Sequence, residues 1–227
     1  MKNMWEGFDV RQQGALVHPT DVELVSRYQS RARSEKYFLQ THMMPEPWVG
    51  SRSAPVVVLQ ANPGASLAEC DSQWKPIESQ IDCAQQTLNG AEMEYPLYWL
   101  DPRLVETDGG RWSRLKLKEA IRDSSLERVA RGVLALETHA YHSQMFDSRL
   151  VGLRTQEYTA ELLRDAIQRG ALIIALRAER FWQACVPELV DYEATGRVIR
   201  TSSRQQAALS RNNLKDGYDL FMDALLA

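Results

Sequence analysis

The sequence predicts a single α/β domain of three layers, α/β/α, around a central, mainly parallel sheet of four strands. Residues 55–59, 132–136 and 171–176 are short, continuous apolar runs rich in Val, Leu and Ile, as expected of strands buried on both faces. Segments with helical spacing of apolar residues separate these runs, so each strand returns through a helix and the strands pair in parallel. No repeat, low-complexity tract or linker rich in Gly, Pro or Ser divides the 227 residues, and one large domain accommodates that length.

Along the chain, Thr20-Asp21-Val22-Glu23 reads as a capping box for an amphipathic helix within residues 18–36, with Val22, Val25, Tyr28 and Ala32 on one face. This helix belongs to an N-terminal helical extension of about residues 1–44. Residues 44–50 form a loop, and the strand over 55–59 ends at the turn signal Asn62-Pro63-Gly64. A helix over 76–88 stops at Gly90. Residues 92–110 read as an ordered loop, and 113–131 as a basic helix. The strand over 132–136 runs into Glu137-Thr138-His139-Ala140-Tyr141-His142. A helix over 156–169, the strand over 171–176, a short helix over 179–185, a fourth strand over 197–200 and a closing helix over 213–226 complete the pattern. Ligands of such sheets bind outside the carboxyl ends of the strands. Those ends are residues 60–64, 137–142, 177–179 and 201–204, where the polar and unusual residues gather.

The balance of 27 Lys and Arg against 30 Asp and Glu gives no global reason to expect a nucleic-acid partner. The distribution does. No acid lies between Ala194 and Lys215, a stretch holding Arg197, Arg200, Arg204, Arg211 and Lys215, nor among Arg111, Arg114, Lys116 and Lys118. Each run is either a phosphate-facing surface or a solvated face. The longest apolar run, residues 171–176, is far below the roughly 18 residues that span a bilayer, and residues 1–11 lack the apolar core of a signal peptide. Cys70, Cys83 and Cys185 are odd in number and not in C-x-x-C spacing, which points to free thiols in a reducing cytoplasm.

Taken in order, four segments resemble the uracil-DNA glycosylase superfamily. The strand and turn ending in Asn62-Pro63-Gly64 are similar to its water-activating motif, closest to the mismatch-specific and thymine-DNA branch. Pro45-Glu46-Pro47-Trp48-Val49-Gly50 resembles the segment preceding that strand in bacterial members. Gly132 to Thr138 resembles the second strand of the uracil-specific branch. Thr201-Ser202-Ser203 and Leu209-Ser210-Arg211, before a terminal helix, stand where the family carries H-P-S or N-P-S and then L-S-R. Thr201 replaces the usual histidine or asparagine, Ser202 the proline, and Glu137 the asparagine that reads uracil. Three scattered cysteines cannot hold the iron–sulfur cluster of some branches.

The resemblance implies a monomeric DNA glycosylase that needs no cofactor or metal, grips backbone phosphates and extrudes one base. Asn62 would orient a water at the sugar carbon, a positioning role, the alternative being a helix cap. His139 or His142 would stabilise charge on the departing base. Gln60, Ala61, Gly64, Glu137 and Tyr98 would surround the base, with Trp74, Trp99 and Trp112 as further stacking candidates. Thr201, Ser202, Ser203, Arg204, Gln205 and Arg211 would meet DNA, and Gln205 or Gln206 would fill the vacated stack. Gly64 stands where the uracil-specific branch has a tyrosine and so leaves room for a 5-substituent; the alternative is a turn glycine needing positive φ. A carboxylate at Glu137 only accepts hydrogen bonds, which suits a cytosine-type base such as a 5-modified one in phage DNA; a Glu137 protonated by burial would donate and remove that inference. Two alternatives stay open. One is a catalytically silent relative that binds nucleic acid or a protein partner. The other is an unrelated α/β hydrolase, although no G-x-S-x-G, Walker or G-x-G-x-x-G pattern occurs.

Overall fold

Apolar side chains on both faces of each central strand can be buried only if both sheet faces are covered. In the computed structural model, which describes residues 2–71, 73–203 and 207–227, this is the arrangement. The elements in chain order are α1 (Val22–Gln29), β1 (Trp48–Gly50), β2 (Val56–Leu59), α2 (Glu78–Leu88), α3 (Asp108–Lys116), α4 (Lys118–Asp123), α5 (Leu126–Gly132), β3 (Val133–Leu136), α6 (Arg154–Gln168), β4 (Leu172–Ala175), α7 (Glu179–Cys185), α8 (Glu188–Glu193), β5 (Val198–Arg200), α9 (Arg211–Leu214) and α10 (Gly217–Leu226). The sheet order is β1-β3-β2-β4-β5. Strands β2 to β5 pair in parallel, and β1 runs antiparallel along β3.

The register places Val57 beside Leu134 and Ile173, all fully buried, on the face covered by α2, α6 and the N-terminal segment. Val56 and Val58 lie level with Val133, Ala135, Leu172 and Ile174 on the opposite face, under α4, α5 and α10. Each such Val, Leu or Ile contributes about 1.5–3 kcal/mol by burial. The chain leaves β2 toward β3 on one side and recrosses to β4 on the other. The crevice of such a sheet therefore opens at the carboxyl ends of β2 and β4.

The sheet has five strands rather than four. The 44–50 segment, expected as a loop, contributes the edge strand β1, and Gly50 makes the crossing possible: its φ is +125°, and a Cβ there would collide with the carbonyl of Val133. The basic helix expected over 113–131 is three helices, broken at Leu117 and Ser124, with Ser125 capping α5 through Arg128 N. The closing helix is likewise divided, at Lys215 with φ +53°. The capping box does not form. His18 instead accepts from Thr20 N, while the fully buried Asp21 accepts from Tyr141 Oη at 2.8 Å, Thr155 Oγ1 at 2.6 Å and Arg154 N at 2.8 Å. The N-terminal 44 residues are mostly non-helical; Trp5, Phe8, Val10, Leu16 and Val17 pack directly into the core. Among the described residues no helix is long and apolar enough to cross a membrane.

Candidate active site at the carboxyl ends of the strands

The turn after β2 is strapped to the segment after β3. Ala61 O accepts from Thr138 N at 3.3 Å and from the Thr138 hydroxyl, while Ser143 N donates to Pro63 O at 3.2 Å. Ser143 also fixes Asn62. The Asn62 amide Nδ2 donates toward Ser143 O at 3.1 Å, Ser143 Oγ at 3.0 Å and Pro63 O at 2.9 Å. Its nitrogen end is thereby turned into the protein, and Oδ1 accepts no hydrogen bond from the described residues. The helix-cap alternative does not apply, because the next helix begins only at Glu78 and follows Ile77. Gly64 does not need positive φ either, and a Cβ there would meet nothing within 4 Å. The space expected beside it is present.

Asn62 lines a cleft of about 770 Å³, within the range of roughly 300–1,000 Å³ usual for small-molecule sites. Gln60, Ala61, Gly64, Glu137 and His142 line it too, so most of the strand-end residues expected at the base do meet there. Its aromatic walls are Trp74, Trp99, Trp112 and Phe146. Trp112 is 44% exposed at the rim, with Lys116 Nζ 5.8 Å from its ring centre. Tyr98 does not line the cleft. It is fully buried behind it, and its hydroxyl donates to Glu46, which does.

Two of the carboxyls lining this pocket, Glu46 and Glu137, are buried. Glu46 has Oε2 3.9 Å from His142 Nε2; burial raises its carboxyl above the usual range, against the opposing pull of His142 and the Tyr98 hydroxyl. Glu137 is 7% exposed, and its Oε2 has no hydrogen-bond partner among the described residues. Burial first, and the charge of Glu46 second, push its carboxyl well above the usual range, against the pull of Arg177. Burial thus favours the protonated, donating form of Glu137, the condition under which the acceptor-only reading would not hold. No ion pair with Arg177 forms among the described residues.

The two histidines differ. His142 Nδ1 lies 2.7 Å from Gly64 O and Nε2 3.1 Å from Met44 O, at the cleft wall. His139 lies outside the cleft lining, stacks on Phe146 and accepts from Tyr141 N at 3.3 Å. Burial, assisted by His142, lowers its pKa to about 3, which leaves it neutral. Among the described residues no three His, Cys, Asp or Glu side chains gather as metal ligands.

The basic runs are acid-free in sequence but not in space. Arg200 pairs with Glu179 and Glu193, Arg211 with Asp123 and Asp219, and Arg111 with Glu106 and Asp108. Arg114 donates to the carbonyls of Trp99, Leu100 and Asp101, and Arg197 to that of Gly170. Among the described residues, the lysine and arginine lining the cleft are Lys116 and Arg177. Ser202 N and Ser203 N donate to Asn213 O and Oδ1, so that side chain shapes the 201–203 loop. The Thr201 hydroxyl is buried away from the cleft lining. Arg204, Gln205 and Gln206 lie outside the described residues.

Comparison with known proteins gives no match to a family model, a curated protein or a solved structure, so the site has to be read from its own chemistry. Sequence reasoning passed over Ser143, Glu46 and Phe146. Only the position of Ser143, just after His142 at a strand end, and of Glu46, between two prolines, marked them out.

Proposed function

We propose that this protein is a DNA glycosylase that draws one base out of the duplex into the cleft and hydrolyses its N-glycosidic bond. The observation carrying the reading is the fixed amide of Asn62, whose Ser143 contacts leave Oδ1 as an acceptor at the switch point of the sheet. An amide oxygen is a weak base but a good tether. It holds a water against the sugar carbon as the glycosidic bond lengthens, which is catalysis by positioning. Trp99, Trp74 and Phe146 supply flat apolar surface for the extruded ring, and Lys116 and Arg177 supply positive charge for flanking phosphates. The room beside Gly64 suits a pyrimidine with a 5-substituent, and a protonated Glu137 matches an edge offering both a donor and an acceptor. The fold matching this reading is the three-layer α/β/α arrangement with four parallel strands.

A relative that binds nucleic acid without cleaving it is the second reading. It is favoured by Thr201, which presents no side chain to the cleft where the resembled family carries its third motif. The test of extrusion is a duplex with 2-aminopurine beside the target base. Unstacking on binding raises its fluorescence, whereas an unchanged signal on a saturated complex contradicts the proposal. Product release then separates enzyme from binder.

A further inference from the structure

We propose that Glu137 is the general acid that delivers a proton to the departing base. This inference rests on the glycosylase reading and assigns Glu137 a catalytic role beyond recognition of the base. The geometry is that of a buried carboxyl at the cleft wall with one oxygen left without a protein partner. Glu137 follows the last residue of β3, its N–H donates to Pro47 O at 3.0 Å, and its Oε2 faces no protein donor among the described residues. The neighbouring carboxyl is differently placed: Glu46 has the Tyr98 hydroxyl on one oxygen and His142 near the other. Of the two buried carboxyls in this pocket, the unsupported one holds the proton. The raised pKa of Glu137 agrees with this. Among the described residues, the other charged or titratable groups of the cleft are Arg177 after β4, Lys116 on α3, Glu69 and Asp108. Among the described residues none of them makes an ion pair with Glu137.

The step balances. The C1′–N bond breaks with its electron pair going to the base. The Glu137 O–H proton passes to an acceptor nitrogen or oxygen of that base, which leaves neutral, and Glu137 becomes a carboxylate. The water held by Asn62 bonds to C1′ and releases a proton to solvent, from which Glu137 is reprotonated. The net change is one water added across the bond. Neutralising the leaving group is the more useful because Asn62 cannot abstract a proton.

The test is single-turnover cleavage of a fluorescein-labelled duplex carrying a base the wild type releases, with wild type compared with Glu137→Gln. Glutamine keeps a donor and an acceptor but has no proton to transfer. The expected result is a loss of about 10²–10⁴-fold in rate with duplex affinity retained. The wild-type rate should fall as pH rises through the titration of Glu137, and Glu137→Gln should lack that limb. Glu46→Gln, which removes the neighbouring charge, should move the limb to lower pH. Infrared spectra of the free protein give a readout independent of substrate: the carbonyl stretch of a protonated carboxyl at neutral pH should be lost in Glu137→Gln. Wild-type rate in a folded Glu137→Gln, or weakened affinity with an unchanged rate, would overturn the inference and leave Glu137 as a reader of the base. Wild type inert on every duplex would overturn the glycosylase reading and this inference with it.

Discussion

Replacing Asn62 with alanine separates a catalytic asparagine from a structural one, because the two roles predict losses of very different size. The side chain directs its two amide hydrogens at a cluster of three oxygens, Ser143 O, Ser143 Oγ and Pro63 O, at 2.9–3.1 Å. At about 0.5–1.5 kcal/mol for each hydrogen bond, two bonds contribute about 1–3 kcal/mol. The site is partly exposed, so water can replace part of this, and the lower half of that range is expected. For a chain of this length each kcal/mol lowers Tm by about 2–4 °C, which gives a fall of roughly 2–8 °C by calorimetry. Such a loss leaves a domain of ordinary stability almost wholly folded at 25 °C. Loss of the tether for the attacking water costs far more in rate, about 10²-fold or more. The assay is single-turnover base release at 25 °C beside a melting curve and a duplex titration for the same preparation. Cleavage within a few-fold of wild type, with the expected fall in Tm, would refute the positioning role and leave Asn62 as a turn residue.

Three further outcomes follow from the structure. Since Arg111, Arg200 and Arg211 pair with acids and Arg114 and Arg197 with backbone carbonyls, duplex binding should depend only mildly on salt, with a slope of about −2 in log K against log salt for two phosphate contacts at about −0.9 each; a much steeper slope would mean those contacts open for DNA. Gly64→Ala should fold and melt like wild type or slightly higher, because the backbone there is not left-handed and the added Cβ meets nothing within 4 Å. Gly64→Tyr should block 5-substituted bases selectively, and equal loss on unsubstituted ones would refute the pocket assignment. His139, with its pKa lowered to about 3, should stay neutral in the folded protein, its ring resonances unshifted down to about pH 4 by NMR. The unfolded chain binds that proton below about 6.5, so this contribution to stability is complete above that pH and lost as pH falls toward 3; titration of the folded ring near 6.5 would contradict it.

The parallel strands were legible because burial on both faces writes itself as unbroken runs such as Val56 to Leu59. The edge strand β1 was not, since its three residues, which follow Pro47 and end at the positive-φ Gly50, carry no period. The capping box failed because Asp21 is claimed by Tyr141 and Thr155, partners supplied only by the tertiary fold. The charge balance of the basic runs was not legible for a related reason: the acids that pair with Arg200 and Arg211, among them Glu179, Asp123 and Asp219, come from other elements. The candidate site itself was largely legible at Gln60, Asn62, Gly64, Glu137 and His142, all of which line one cleft. What the sequence could not supply was the state of Glu137, which depends on Glu46 from the segment before β1 and on the depth of both.

The central claim is hydrolysis of an N-glycosidic bond, and it is tested most directly by base release. Wild-type protein is incubated with matched end-labelled duplexes carrying a single uracil, a thymine opposite guanine, a cytosine or a 5-substituted cytosine, and then treated with alkali to break the strand at any abasic site. A single break is expected at the substituted base in at least one duplex, absent without protein and lost in Asn62→Ala. Full-length strands in every lane, from protein that melts cooperatively and binds the same duplexes, would contradict it.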